Sequence, residues 1–320
     1  MSVIGIDTSN YTTSIAFFDG VDGENCSKLL PVKQGELGLR QSDAVFAHIK
    51  RLPELSGRLF SDIQKQNITA VGVSTRPRAV TGSYMPCFMV GFSHAKMLSD
   101  LLHVPLVEVS HQQGHVAASL WSAGHLELMD EPHLAWHLSG GTTELLLVEP
   151  EKKNVICTKI GGTTDISAGQ LIDRTGQLLE LPFPSGKHLD LLSQNAQLTE
   201  TFKVKCSNME FSLSGVQNKV QQFHSANMDS TETAAYALRC VAKAVYMATE
   251  QALKAYPGMR VVFSGGVASN SMLRRILAPL NPIFSQPQYS TDNAMGVAVL
   301  AYRATEESNG SKCSVYYPVK

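Results

Sequence analysis

Residues 134–148 read LAWHLSGGTTELLLV, and the architecture follows from how that stretch is read. An apolar run enters Ser139-Gly140-Gly141-Thr142 and a second leaves over 144–148, which predicts two strands joined by a turn of small, hydrogen-bonding residues. The N-terminus predicts the same unit: a strand over 2–7, a tight turn at Thr8-Ser9-Asn10, and a second strand over 11–18. Tyr11-Thr12-Thr13-Ser14-Ile15-Ala16 sets beside Gly141-Thr142-Thr143-Glu144-Leu145-Leu146 position for position. One hairpin used twice, once per half, predicts two related lobes facing a shared cleft.

Working outward, residues 39–66 carry helical spacing through Val45, Ile49, Leu52 and Leu55, with Pro53 predicted to interrupt it. A buried strand over 70–74 runs into a loop carrying Arg76 and Arg78, then an apolar helix over 85–102 and a short strand over 105–110. Beyond the second hairpin, Gly161-Gly162 is predicted to open a loop ahead of a helix over 168–181 that puts Asp173 and Gln177 on one face. Pro182 and Pro184 break it, a polar helix covers 217–224, and a long core helix covers 231–256. A strand over 260–264 enters Gly265-Gly266-Val267-Ala268-Ser269-Asn270, a helix follows over 271–277, and 289–294 caps a last helix. Alternating strands and helices with three Gly/Ser-rich strand turns predict an α/β chain of the two-lobed, actin-like and sugar-kinase-like ATPase type, with a duplicated core and an interlobe cleft. The expected division is an N-terminal lobe over 1–104, with a helix near 293–306 packing back on it, a C-terminal lobe over 105–292 and a polar tail over 307–320.

Composition sets limits on function. The 320 residues are 43% hydrophobic, enough to bury a large core. A formal net charge of −1 provides no global field toward nucleic acid or membrane, so a nucleic-acid role needs a local basic patch or a helper protein. Cys26, Cys87, Cys157, Cys206, Cys240 and Cys313 form no C-x-x-C pair and, with no signal peptide in view, read as reduced thiols in a cytoplasmic protein. No apolar run approaches the length of a membrane span.

The residues that carry chemistry begin with His111-Gln112-Gln113-Gly114-His115, two imidazoles one helical turn apart, the spacing that grips a single metal ion. In a zinc-protease H-E-x-x-H the second residue is a glutamate acting as general base; Gln112 cannot accept a proton, which disfavours thermolysin-like peptide hydrolysis. By spacing alone His125, His133 and His137 read as surface or core. Asp7, Thr8 and Ser9 form one candidate phosphate loop, and Gly265 with Gly266 another, where glycine lets the backbone approach an anionic ligand ahead of a helix.

With those motifs in place the chain resembles the universal tRNA threonylcarbamoyltransferase catalytic subunits, the TsaD or Gcp family once described as O-sialoglycoprotein endopeptidases, from Ile4 to about Tyr302. The carriers, in family order, are IGIDTS, SHQQGH, LSGGTTELL, DISAGQLIDRTGQLL, FSLSGV, SGGVASN and STDNA. The resemblance implies transfer of a threonylcarbamoyl group from its adenylate to the exocyclic amine of the adenosine beside the anticodon, in tRNAs reading codons that begin with A. It implies a divalent metal, iron ahead of zinc, held by His111, His115 and Asp292. It also implies an adenylate or adenine nucleotide lined by His137, Leu138, Ser139, Gly140, Gly141, Asp173, Gly186, Asp190 and Asn270. The implied partners are tRNA, a small paralogous dimerising subunit and an ATPase subunit, with no membrane.

Departures from the family pattern concentrate at polar positions. The turn T-S-C-D-E-T reads Thr8-Ser9-Asn10-Tyr11-Thr12-Thr13, and G-P-G-L is replaced by Arg76-Pro77-Arg78-Ala79-Val80. The histidine of S-G-G-H-T is Thr142, and D-D-A-A-G-E carries Ile166 and Gln170. These changes motivate an alternative expectation: a catalytically impaired paralogue that binds nucleotide and metal as a regulatory or scaffold subunit.

Overall fold

The computed structural model describes residues 1–9, 11–30, 39–62, 67–291, 294–307 and 315–316. In chain order the elements are β1 (Ser2–Ser9), β2 (Thr12–Phe18), β3 (Gly23–Leu29), α1 (Gln41–Asp62), β4 (Ile68–Arg76), α2 (Phe88–Leu102), β5 (Leu106–Ser110) and α3 (His111–Ser122). There follow β6 (His133–Leu138), β7 (Thr143–Glu151), β8 (Asn154–Thr163), α4 (Ala168–Leu178), α5 (Gly186–Ser193), β9 (Cys206–Ser207) and β10 (Glu210–Phe211). The last are α6 (Ser214–Asn227), α7 (Ser230–Ala255), β11 (Val261–Ser264), α8 (Ser271–Leu277), β12 (Ile283–Phe284), α9 (Met295–Glu307) and β13 (Val315–Tyr316). No helix among the described residues is long and apolar enough to cross a membrane.

The chain divides into two compact units: Met1–Glu131 with Glu149–Cys157 and Asp292–Lys320, and Pro132–Val148 with Thr158–Thr291. The expected boundary at 104/105 lies elsewhere. Residues 105–131 belong with the first unit because β5 pairs parallel with β4 and α3 packs on α9. The expected tail, 307–320, lies outside the described residues except for Glu307, which closes α9, and β13, which pairs parallel with β5.

Each unit is built on one sheet, ordered β13-β5-β4-β1-β2-β3 in the first and β12-β11-β6-β7-β8-β10-β9 in the second. Within both, the opening hairpin is antiparallel (β1 with β2, β6 with β7) and its first strand pairs parallel with a later strand (β4, β11). The predicted duplication of the hairpin is thus a duplication of topology.

In the first unit one sheet face packs Ile4, Ile6, Ile15, Phe17, Val71 and Val73 against Leu52, Leu55 and Leu59 of α1 and Ala95 of α2. The opposite face is closed by α9, whose Met295 and Val297 to Ala301 are fully buried. Gly5 and Gly72 let that helix approach: a Cβ on Gly5 would lie 2.6 Å from the Ala294 carbonyl oxygen, and one on Gly72 2.8 Å from that of Val297. Pro53 does not interrupt α1, which runs unbroken from Gln41 to Asp62. The carbonyl four residues back that loses its donor belongs to Ile49, on the exposed side, where water can satisfy it. The buried stripe is Ala44, His48, Leu52, Leu55 and Leu59 rather than one through Ile49.

The second unit wraps its sheet with α4 to α8 around Leu134, Trp136, Leu138, Phe211, Val241, Val245 and Phe263, with the Trp136 indole donating to Thr249 Oγ1 at 2.8 Å. Gly161 and Gly162 lie inside β8, not in a loop. Gly162 has φ +125°, and a Cβ there would sit 2.3 Å from the Thr143 carbonyl oxygen; one on Gly161 would sit 2.5 Å from that of Met209. The pair of glycines lets the neighbouring backbones close in on the strand.

Candidate functional site

The histidine helix is fixed at its start by its own sequence. Ser110 caps α3: its hydroxyl accepts the Gln113 N–H at 3.2 Å, while Gln113 Oε1 accepts the Ser110 N–H at 2.8 Å. This is the reciprocal cap that an S-x-x-Q spacing specifies. Gln113 also donates from Nε2 to the Val155 carbonyl at 2.7 Å. One turn apart on this anchored helix, His111 and His115 bring their Nε2 atoms to 2.9 Å, with ring centroids 4.3 Å apart and planes at 72°. Two nitrogens bonded to one metal at about 2.0–2.1 Å each are roughly 3 Å apart, so the pair fits a shared ion. The other nitrogen of His111, Nδ1, lies 2.6 Å from Oδ2 of Asp7, which is 1% exposed.

Asp292 lies outside the described residues. Among the described residues no set of three His, Cys, Asp or Glu side chains is arranged to hold a metal, so His111 and His115 are the two donors in view.

Thr8 and Ser9, expected in a turn, continue β1 to its end by pairing with Thr13 and Thr12 of β2, and the polar groups there are occupied internally. Asp7 Oδ1 accepts the Ser9 N–H at 2.7 Å, and Thr8 Oγ1 donates to the Cys87 carbonyl and accepts the Gly91 N–H, each at 3.0 Å. Behind it Thr13 Oγ1 meets His48 Nδ1 at 2.8 Å. The His48 ring is fully buried, and burial pushes its pKa down to about 4.

In the second unit, the residues expected to bind adenylate gather at the ends of strands β6 and β11, which pair His137 with Ser264. This carboxyl end of parallel strands is where α/β sheets keep ligand sites. Ser139 closes the turn, its backbone N–H donating to Thr142 O at 2.8 Å and its hydroxyl accepting the Thr142 N–H at 3.1 Å. The Ser167 hydroxyl donates to Gly140 O at 2.6 Å, tying the turn to the start of α4. Gly265, at φ +91°, would carry a Cβ 2.1 Å from Leu138 O, so only glycine lets the second turn lie against the first. Gly140, Gly141 and Gly266 by contrast face open space, leaving bare backbone beside the turns.

Asp173 accepts the Ser185 N–H at 2.8 Å, beside Gly186, and burial pushes its carboxyl up. Asp190 takes both the N–H and the hydroxyl of Ser271, at 2.9 and 2.7 Å, and Asn270 caps α8 through the Leu273 N–H at 3.0 Å. His137 Nδ1 meets Ser264 Oγ at 3.4 Å.

Several residues that build the site escaped sequence reasoning. Ser185 and Ser271 are short hydroxyl residues with no motif of their own, and Ser264, which opens SGGVASN, had no role assigned to it. Asp165, which opens DISAGQLIDRTGQLL, has a tie that the sequence did not show: burial pushes its carboxyl up, but the hydroxyls of Ser212 and Ser214 and the Leu213 and Ser214 N–H groups outweigh this and hold it well below the usual range. It thereby ties the FSLSGV segment to the start of α4. The adjacent S-x-x-Q at 167–170 is a second reciprocal cap.

Known proteins resemble the chain in both sequence and fold. Among solved structures, an activator of 2-hydroxyisocaproyl-CoA dehydratase from Clostridium difficile with bound ADPNP aligns at TM-score 0.53 and 17% identity, covering 97% of each chain. The HypF protein of T. kodakarensis aligns at 0.62 and 11%, covering 98% of this chain and 48% of that one. A ROK hexokinase from Thermus thermophilus aligns at 0.52 and 15%, covering 97% and 100%. These likenesses show the actin-like, sugar-kinase-like fold. In sequence, a tRNA N6-adenosine threonylcarbamoyltransferase of Carboxydothermus hydrogenoformans is 30% identical over 316 residues, 94% of this chain and 91% of that protein. One of Streptococcus pneumoniae is 32% identical over 260 residues, 77% and 73% of the two chains. The family model of the tRNA N6-adenosine threonylcarbamoyltransferases, TsaD, matches residues 35–299, and the chain belongs to that family.

Proposed function

We propose that the chain transfers a threonylcarbamoyl group from threonylcarbamoyl-adenylate to N6 of the adenosine beside the anticodon, in tRNAs reading codons that begin with A. Family membership supports the reaction class, and the paired Nε2 atoms of His111 and His115 are the observation that carries the chemistry. His111, His115 and Asp292 would hold one divalent metal, with iron ahead of zinc. When bound, the metal supplies Lewis acidity toward the carbamoyl carbonyl.

The remaining work belongs to the chain itself. Asp173, pinned by the Ser185 N–H through one oxygen, presents the carboxylate to ribose hydroxyls. The turns at 139–141 and 265–266 offer bare backbone to the adenylate, with Gly186, Asp190 and Asn270 shaping the floor through the cap of α8. In the reaction the N6 nitrogen attacks the carbamoyl carbon, the bond from that carbon to the phosphate oxygen breaks, AMP departs, and the proton lost from N6 passes to solvent. The net charge of −1 leaves tRNA attraction to local arginines and to partners, for which the small paralogous subunit and the ATPase subunit of the family are the candidates.

The test combines purified chain, threonylcarbamoyl-adenylate, unmodified tRNA and the two partner subunits, followed by mass spectrometry of digested tRNA. Threonylcarbamoyladenosine is expected with the wild-type chain and not with His111→Ala. Absence of product in a mixture that a known family member turns over would sink the proposal.

A further inference from the structure

Asp7 sits where a phosphate contact was expected, and its surroundings assign it a different task. Its carboxylate is buried, and both oxygens are taken by donors of this chain: the Ser9 N–H on Oδ1 at 2.7 Å and His111 Nδ1 on Oδ2 at 2.6 Å. The backbone is held as well, with Ser14 Oγ donating to the Asp7 carbonyl at 3.3 Å. A carboxylate oxygen 2.6 Å from a ring nitrogen is placed to accept, and that geometry assigns the shared proton to Nδ1. In the neutral ring that choice leaves the lone pair on Nε2, the atom that meets His115 Nε2 at 2.9 Å. A phosphate brought directly to the same carboxylate would face a like charge.

We infer that Asp7 is a positioning residue for His111, holding the imidazole with its proton on Nδ1 and its Nε2 lone pair aimed at the metal position, and is not a phosphate contact. The inference rests on the reading of His111 as a metal ligand. A carboxylate behind a ligating histidine fixes ring orientation and raises ligand basicity, and its loss lowers metal affinity by about 10–100-fold. Asparagine is the informative replacement, because its amide can donate to Nδ1 and so drive the proton onto Nε2, the wrong tautomer for a ligand.

The test uses the full chain in three variants, Asp7→Asn, Ser14→Ala and His111→Ala, with zinc(II) as the probe. In metal-free wild type, nitrogen-15 NMR of labelled histidine should find the His111 proton on Nδ1. Zinc affinity, read by competition with a chromophoric chelator, should fall about 10–100-fold in Asp7→Asn and stay within about twofold in Ser14→Ala, which disturbs the same strand without touching the carboxylate. Wild-type His111 protonated on Nε2, or a folded Asp7→Asn with wild-type zinc affinity, overturns the inference while the metal site stands. The first of these needs no variant, so a failure of Asp7→Asn to fold leaves the inference open to refutation. Zinc binding that is absent in wild type or unchanged in His111→Ala overturns the metal site itself, and the inference with it.

Discussion

At the scale of single residues, the first unit carries histidines of two opposite kinds. His111 and His115 are partly exposed and aim nitrogens at one another, whereas His48 is sealed against Thr13 of β2. Replacing either of the first two by alanine removes a metal donor, and we expect bound metal and threonylcarbamoylation to fall together, by at least about 100-fold, in metal analysis and tRNA digests. His48 governs acid stability instead. Its folded pKa of about 4 lies below the ordinary value of 6.5, so the unfolded chain binds the extra proton between those values. Stability is therefore full above pH 6.5, declines as pH falls through this window, and carries the whole cost below about 4. At pH 5 the cost is about 2 kcal/mol. Urea unfolding at pH 7 and pH 5 should show a drop in wild type that is smaller in His48→Gln by about that amount; equal drops would remove His48 from the account.

At the scale of elements, close packing of helices and turns sets the tolerances. A Cβ on Gly296 of α9 would lie 1.8 Å from the Gly114 carbonyl oxygen on the histidine helix, and the obstacle is backbone that cannot step aside. Gly296→Ala should cost about 1–3 kcal/mol or more by pushing α9 off α3, and should weaken metal binding through displacement of His111 and His115. Unchanged melting and unchanged metal affinity would show that the two helices can part freely. In the second unit Asp165 joins the starts of α4 and α6 through Ser212, Leu213 and Ser214. Because those donors hold its pKa below the ordinary carboxylate value, its contribution is present above pH 4 and lost as pH falls further. Asp165→Ala should loosen the 210–214 segment, which hydrogen exchange at those amides would register as reduced protection. The capping boxes at Ser110 and Ser167 show the same logic running from sequence: a serine and a glutamine three apart fix where each helix begins.

At the scale of the whole molecule, the chain leaves its first unit after residue 157 and returns to it at residue 292. The returning helix α9 is apolar on every side over residues 295–301 and buries Val297, Ala298, Val299, Leu300 and Ala301 completely. A chain ended at Thr291 would expose one whole face of the sheet holding β1, β2, β4 and β5. Such a truncation should lose cooperative unfolding of the first unit, seen as collapse of amide protection in β1 and β4, along with zinc affinity at His111 and His115. Retained protection would mean that the sheet stands on α1 and α2 alone.

Local pattern was enough for much of this. Apolar runs around small turns announced both hairpins, helical periodicity announced α7, and HQQGH placed two imidazoles on one helix face, because each is decided by neighbours within one or two turns of chain. Pro53 was misread for a tertiary reason, since only exposure at Ile49 makes the missing hydrogen bond harmless. Gly161 and Gly162 resembled a loop until the backbones packed beside them gave a reason for glycine inside a strand. The domain boundary likewise depended on α9 returning to cover α3. Asp7 is the sharpest case: its identity as an acidic strand residue is local, but its partner lies 104 positions away. Sequence determined that there would be a carboxylate and two imidazoles; the parallel pairing of β1, β4 and β5 decided that the carboxylate would stand behind the first imidazole, because register between distant strands is set by the packing of the whole core.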